Sequence, residues 1–311
     1  MRRILVAGLP RSGTSWIGRA IGNADGATFV HEPDGSHEPF AIKAKRGYGR
    51  HIALDHDAQA PLVERMWSGA FSGGDRTPNL RARVAKRLMD PIPIGERTAA
   101  RHGDRPTARM QLVLALATPQ GPVDADHVVV KTVLSSFCIE WVASRFDPQI
   151  VVIERDPRNA IASWIDMRMA GDPRENANVA QEAQKRWGIS PPDPDSNRLA
   201  HQTFVFAALS CALRDAALRH PDWDVVRHEE FCVEPRASFP PLLSRLGLEY
   251  GQRCEDYLTA SNQAGEGFRT QRLTAAEPER WRERLTDVQL EVVAEQLARF
   301  PHDLRKPIAH R

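Results

Sequence analysis

Residues 1–16 read MRRILVAGLPRSGTSW, an apolar run that breaks into the glycine-rich turn GLPRSGTS at residues 8–15. Four residues separate Gly8 from Gly13 and hydroxyls follow at Thr14 and Ser15, which is the spacing of a phosphate-binding loop. A strand that ends in such a turn and opens a helix forms a nest of backbone N–H groups, backed by the positive end of the helix, and the nest faces an anion. The two glycines allow the tight turn, and Arg11 places a positive charge inside it. Thr14 stands where the loop of a nucleoside triphosphatase carries its lysine.

Outward from the loop, short runs rich in branched apolar residues predict strands at 4–7, 28–30, 128–130, 150–153 and 224–226. Helical patterns lie between or after several of them. Asp156-Pro157 supplies a capping residue and a first-turn proline directly after the fourth strand, so RDPRNAIASWIDMRM turns sharply into a helix. Thr286 with Gln289 makes a capping box for TDVQLEVVAEQLARF. Further helices are predicted at 76–88 and 199–220, with proline-rich loops at 91–93 and 191–194. Strand followed by helix, repeated, predicts an α/β fold: a parallel sheet between two helical layers, of the P-loop nucleotide-binding type, with ligand sites at the carboxyl ends of the strands. Residues 1–311 read as a single domain. The stretch from about 34 to 126 reads as a loop-rich, partly helical insertion with basic clusters KAKRGYGR and RARVAKR, and is expected to supply a substrate-specific wall.

With 311 residues, 41% of them hydrophobic and 26% charged, the chain has an ordinary globular composition. A net charge of +2 is too mild to argue for nucleic-acid binding, which shows as a strongly basic face. Cys138, Cys211, Cys232 and Cys254 form no CxxC pair and no His/Cys cluster at metal spacing, so they are expected to be reduced, mostly buried thiols. The apolar run at the N-terminus is too short for a signal peptide or a membrane span, and the cytoplasm is the expected location.

The absent lysine bears on which anion the loop holds. In nucleoside triphosphatases it neutralises the β- and γ-phosphates while an acid helps to hold the metal. A sulfuryl group carries one negative charge less than a phosphoryl group, so its transfer needs fewer cations and no divalent metal. The loop suits a phosphosulfate better than a triphosphate. A second anion site is expected where the fourth strand runs into Arg155, with Ser163 two turns along the next helix.

GLPRSGTSW at the N-terminus and RDPRNAIAS after a later strand together resemble the sulfotransferases that use 3′-phosphoadenosine 5′-phosphosulfate. Their first loop grips the 5′-phosphosulfate, and an arginine with a serine eight residues on grips the 3′-phosphate, a spacing that Arg155 and Ser163 match. FVHEPDGSH is similar to a segment of the carbohydrate branch, as are VVVKTV, VVRHEEFCVEP and FRTQRLTAAEPERWRERLT, so the matches run from residue 4 to about 300 and leave out most of the insertion. The chain departs from the cytosolic branch at Lys131-Thr132-Val133, where a basic histidine is missing, and from the family at His228, which stands in place of a tyrosine.

The resemblance implies a donor site of Arg11, Ser12, Gly13, Thr14, Ser15 and Trp16, the tryptophan against the adenine, with Arg155, Ser163, Thr270 and Arg272 on the 3′-phosphate. Arg11 and Lys131 are the expected stabilisers of the leaving phosphate. Glu32 is the expected base, with His31 its competitor because imidazole has the better ordinary pKa near neutrality. Adjacent strand residues point to opposite faces, so only one of the pair is expected in the site. The expected reaction is sulfuryl transfer without a metal to a hydroxyl or amine, on a sugar or another small-molecule acceptor. Two other readings remain: a nucleotide kinase with Glu154-Arg155-Asp156 as its acid motif, and a binding protein without turnover.

Overall fold

The computed structural model describes residues 1–72, 80–119, 126–169, 173–263 and 274–308. Five strands, β1 (Arg2–Gly8), β2 (Ala27–His31), β3 (His127–Thr132), β4 (Gln149–Glu154) and β5 (Asp224–Arg227), form one sheet in the order β2-β3-β1-β4-β5. Every pairing is parallel. All five expected strands are present, and the fold is α/β.

The branched runs are continuous rather than alternating because both faces of a parallel sheet are covered. Leu5, Ala7, Val128, Val130, Ile150 and Val152 enter one core; Ile4, Val6, Val129, Val151 and Ile153 enter the other. Helix α1 (Thr14–Gly22) lies on the second face. The intervening helices α2 (Pro39–Ala44), α3 (Pro61–Ser72), α4 (Leu80–Met89), α5 (Ile94–Arg101) and α6 (Ala108–Leu116) make up the insertion. Then come α7 (Ile139–Phe146), α8 (Pro157–Asp166), α9 (Pro173–Trp187) and α10 (Arg198–Arg219), which pack on the first face, and α11 (His228–Val233), α12 (Pro235–Arg245) and α13 (Gln252–Ser261), which pack beside α1. Two short 3-10 turns, Thr274–Ala276 and Arg280–Glu283, lead to α14 (Asp287–Ala298). Since α1 covers one face and the helices after β3 and β4 the other, a crevice opens beside β1 at the carboxyl ends of the strands.

The cap at Asp156 is present, its carboxylate accepting from Arg158 N–H at 2.9 Å, and so is the Thr286–Gln289 capping box. The insertion is more helical than its sequence suggests. Between Arg81 and Met89 the dense arginines face outward while Ala82, Ala85 and Met89, three and four residues apart, turn inward. With Ile42, Ile92, Ala100, Met110, Val113 and Leu114 the buried Met89 builds a separate small core. The surface charge hides the helical period from a reader of composition. The helix expected at 76–88 is α4, its first residues lying outside the described ones. Among the described residues no helix is long and apolar enough to cross a membrane.

All four cysteines are free and buried. Cys138 and Cys211 sit in the core on the first face of the sheet, Cys232 and Cys254 in the core on the second.

Candidate functional site

Parallel register brings the site together. Gly8 stands opposite Ile153, and His31 and Val6 both stand opposite Lys131, so the ends of β1 to β4 share one rim. There a cavity of about 320 Å³ is lined by Arg11, Gly13, Thr14, Ser15, Trp16, His31, Glu32, Arg50, Lys131, Arg155, His228 and Glu277, among others.

The turn after β1 is wound tightly. Arg11 has φ 69° and Gly13 φ 90°, both left-handed. A Cβ on Gly13 would also lie 1.9 Å from His228 Cδ2, so glycine is required there for space as well as for torsion. Ser12 departs from its expected role: its hydroxyl and its amide both donate to Leu9 C=O, at 2.7 and 3.1 Å, and at 2% exposure it is not among the residues that line the cavity. Thr14 and Ser15 open α1 and line the cavity. Trp16 lines it too, its indole N–H donating to Ser261 Oγ at 2.9 Å and its ring edge-on to His228 and Phe239.

Arg155 and Ser163 converge, and they converge on Arg11. The Arg11 Nε donates to Ser163 Oγ at 2.9 Å, and an Arg155 N–H donates to the Arg11 carbonyl at 2.6 Å. The other arm of Arg155 pairs with Glu277 at 2.9 Å, and both side chains are 8% exposed. Burial alone would raise the Glu277 carboxyl, but Arg155 and Arg280 hold it below the usual range. The Arg155 Nε is buried with no hydrogen-bond partner among the described residues. Thr270 and Arg272 lie outside the described residues.

Across the cavity, Lys131 pairs with Glu32 while only 2% of the lysine is exposed. Burial lowers the pKa of Lys131 against the pull of Glu32; Glu32, which burial would raise, is held low by Lys131. The carboxylate is therefore ionised. His31 Nε2 lies 4.0 Å from the same carboxylate, and burial, with Lys131, His37 and Arg19 adding to it, outweighs Glu32 and takes the ring down to about 4. The expected division of the pair between two faces fails. Glu32 follows the last residue of β2 with φ 44°, and that left-handed step breaks the strand's alternation, so both side chains line the cavity.

Sequence reasoning missed His228, Glu277 and Arg50 as wall residues. His228 is buried, and burial with Arg155 and Arg11 nearby holds its ring neutral. The histidine at a position where the resemblance implies a tyrosine was the available signal. Arg50 belongs to a basic cluster already visible in the insertion. Nothing in the local sequence links Glu277 to an arginine 122 positions earlier.

The acids flanking Arg155 are committed elsewhere. Glu154 accepts from Arg214 at 2.7 and 2.9 Å, and Asp156 caps α8 while pairing with Arg158. Among the described residues no group of acids, histidines and cysteines is arranged to hold a metal ion.

No protein-family model and no curated protein matches the chain. Among solved structures it is similar to the sulfotransferase domain from the Synechococcus PCC 7002 olefin synthase, at 13% identity over 96% of this chain and 94% of that one, with a TM-score of 0.44. It is also similar to the sulfotransferase domain from the curacin biosynthetic pathway (12%, 96% and 98%, 0.47) and to sulfotransferase STF1 from Mycobacterium tuberculosis H37Rv (12%, 96% and 76%, 0.42).

Proposed function

We propose that the chain is a sulfotransferase that moves a sulfuryl group from 3′-phosphoadenosine 5′-phosphosulfate to an acceptor hydroxyl or amine. The observation that carries the reading is one cavity holding a lysine-free anion loop, two arginines tied to each other at its edge, and an ionised carboxylate opposite. The buried Arg155 Nε, without a hydrogen-bond partner among the described residues, fits a ligand with a second anionic group. The kinase reading loses its acid motif, because Glu154 and Asp156 serve Arg214 and the α8 cap.

When bound, the donor supplies an electrophilic sulfur, which gains a bond to the acceptor atom as its bond to the 5′-phosphate oxygen breaks. The chain's own contribution is positioning and charge. Loop amides, Thr14, Ser15 and Arg11 hold the phosphosulfate end; Arg155, with Ser163 fixing Arg11, holds the 3′-phosphate. Glu32 takes the acceptor's proton, and Lys131 sits between that carboxylate and the place where negative charge grows. His31 is neutral near pH 7 and stands beside Glu32 as the second possible proton acceptor.

The acceptor side opens at His31. That residue also lines a groove of about 450 Å³ along β2, walled by Phe29, Pro33, Phe40 and Met66 and rimmed by Arg19 and Lys86. Phe40, Met66 and Lys86 come from the insertion, which supports its reading as the substrate-specific wall. The groove suits a small molecule or a sugar with an apolar face, delivered to the cytoplasmic protein in solution.

The test is thermal stabilisation by adenosine 3′,5′-bisphosphate against AMP and magnesium-ATP, since a ligand bound only to the folded chain raises its midpoint by mass action. Selective stabilisation by the bisphosphate, weakened in Ser163→Ala and lost in Arg155→Ala, is the expected result. Stabilisation by magnesium-ATP instead would remove the proposal. Glu32→Gln is expected to abolish transfer while leaving bisphosphate affinity within about twofold, a difference of a few tenths of a kcal/mol.

A further inference from the structure

We infer that Glu277 is a built-in competitor for the 3′-phosphate, a carboxylate that occupies Arg155 until a more strongly charged anion displaces it. The inference rests on the donor reading above, and goes beyond it by assigning a selectivity role to a residue from the far end of the chain.

Three observations converge. The Glu277 carboxylate lines the donor cavity and meets Arg155 at 2.9 Å, where both side chains are almost wholly removed from water. Its second oxygen accepts from Arg280 at 2.8 Å, so one acid bridges two arginines as a phosphate would. Arg155 nonetheless keeps a buried Nε without a partner among the described residues, which a single carboxylate at its other end leaves unmet. A phosphate presents three terminal oxygens and up to two charges, so it can meet donors that Glu277 leaves idle.

The segment carrying Glu277 is built for such an exchange. Four residues on, Trp281 is pinned on α8: its backbone N–H donates to Asn159 Oδ1 at 3.0 Å, while Asn159 Nδ2 donates to the Pro278 carbonyl at 2.8 Å. The indole lies between the guanidinium groups of Arg158 and Arg282, at 3.9 and 4.5 Å from its centroid. The anchor and the competing carboxylate are thus separate parts of one segment. Glu277 can leave Arg155 while Trp281 stays docked.

A competitor taxes affinity, because only the fraction of molecules with Arg155 uncovered binds the 3′-phosphate. A nucleotide without that phosphate does not need Arg155 and is not taxed. Glu277 therefore sets how strongly the donor's 3′-phosphate must bind before the site accepts it.

The test compares wild type with Glu277→Gln by calorimetric titration of adenosine 3′,5′-bisphosphate and of 5′-AMP, with melting temperatures recorded before and after ligand. In the variant the bisphosphate is expected to bind about tenfold tighter or more, the scale of one hydrogen bond to a charged group, with AMP unchanged. The unliganded variant should melt lower, since Arg155 has lost its buried counter-charge, and the bisphosphate should restore it. Bisphosphate affinity that stays level or falls, or that moves together with AMP, overturns the inference and makes Glu277 a structural partner of Arg155. Should Glu277→Gln not fold, Arg280→Ala, which removes only the outer of the two arginines, is titrated the same way: freed of that tether, Glu277 yields sooner and bisphosphate affinity rises, whereas a level or reduced affinity again counts against it. Failure of the wild type to bind the bisphosphate at all is a different outcome, and it sinks the donor reading itself.

Discussion

At the scale of single residues, two left-handed torsions decide what the cavity contains. Gly13 combines φ 90° with a His228 ring that fills the place a Cβ would take. Gly13→Ala is therefore expected to cost about 1–3 kcal/mol from torsional strain alone, more with the clash, and to abolish bisphosphate binding; a urea titration and a thermal shift read both. At Glu32 the turn brings a second proton acceptor to the same wall. Because the folded pKa of His31 is depressed to about 4 from an ordinary 6.5, the unfolded chain takes up a proton between those values that the folded chain refuses. Stability therefore falls as pH drops through that window. The Glu32 contribution, present above its ordinary value, is lost at still lower pH, as the carboxyl protonates. His31→Asn is expected to flatten the pH dependence of the denaturation midpoint between pH 6.5 and 4, modestly, because the ring is partly exposed and screened. An unchanged slope would show that the ring titrates normally. Glycines at 8 and 13 were plain in the sequence. The torsion at Glu32 was not, since an acid before a proline follows a strand in many conformations, and neither was the inward turn of Ser12, whose hydroxyl chooses between a ligand and the nearby Leu9 carbonyl.

At the scale of elements, what could be read in advance was whatever is decided locally. The five strands, the cap at Asp156 and the box at Thr286 each follow from a few neighbouring residues, and each is present. Thr286→Ala is expected to lower stability by about 1 kcal/mol without altering nucleotide binding, as a denaturant curve with and without bisphosphate would show. The insertion was read less well, because its inward residues are mostly alanine and methionine set among arginines and give a weak apolar period. The docking of the Glu277–Trp281 segment on α8 was illegible for another reason: it depends on partners more than a hundred positions away, Arg155 and Asn159, and no short-range pattern encodes such a pairing.

At the scale of the whole molecule, one sheet joins both cores to the cavity, and the insertion is tied to the sheet through Asp34 and Thr132. Lys45, 1% exposed at the end of α2, donates to the carbonyls of Asp34 and Arg50, and Asp34 in turn accepts from Thr132 Oγ1 at 2.6 Å beside Lys131. Burial brings this lysine down to about 8 in spite of Asp34. We therefore propose that residues 1–311 unfold as one unit, and the cysteines offer a way to watch it. Two thiols lie in the core on each face of the sheet, and burial raises Cys138, Cys211 and Cys232 to about 12, far from the reactive thiolate. Each reacts with a thiol reagent only when its own layer opens. The chain thus carries four native clocks, a pair for either side of the sheet: equal rates, slowed alike by adenosine 3′,5′-bisphosphate, would mark a single cooperative body, and a faster pair would name the side that opens first.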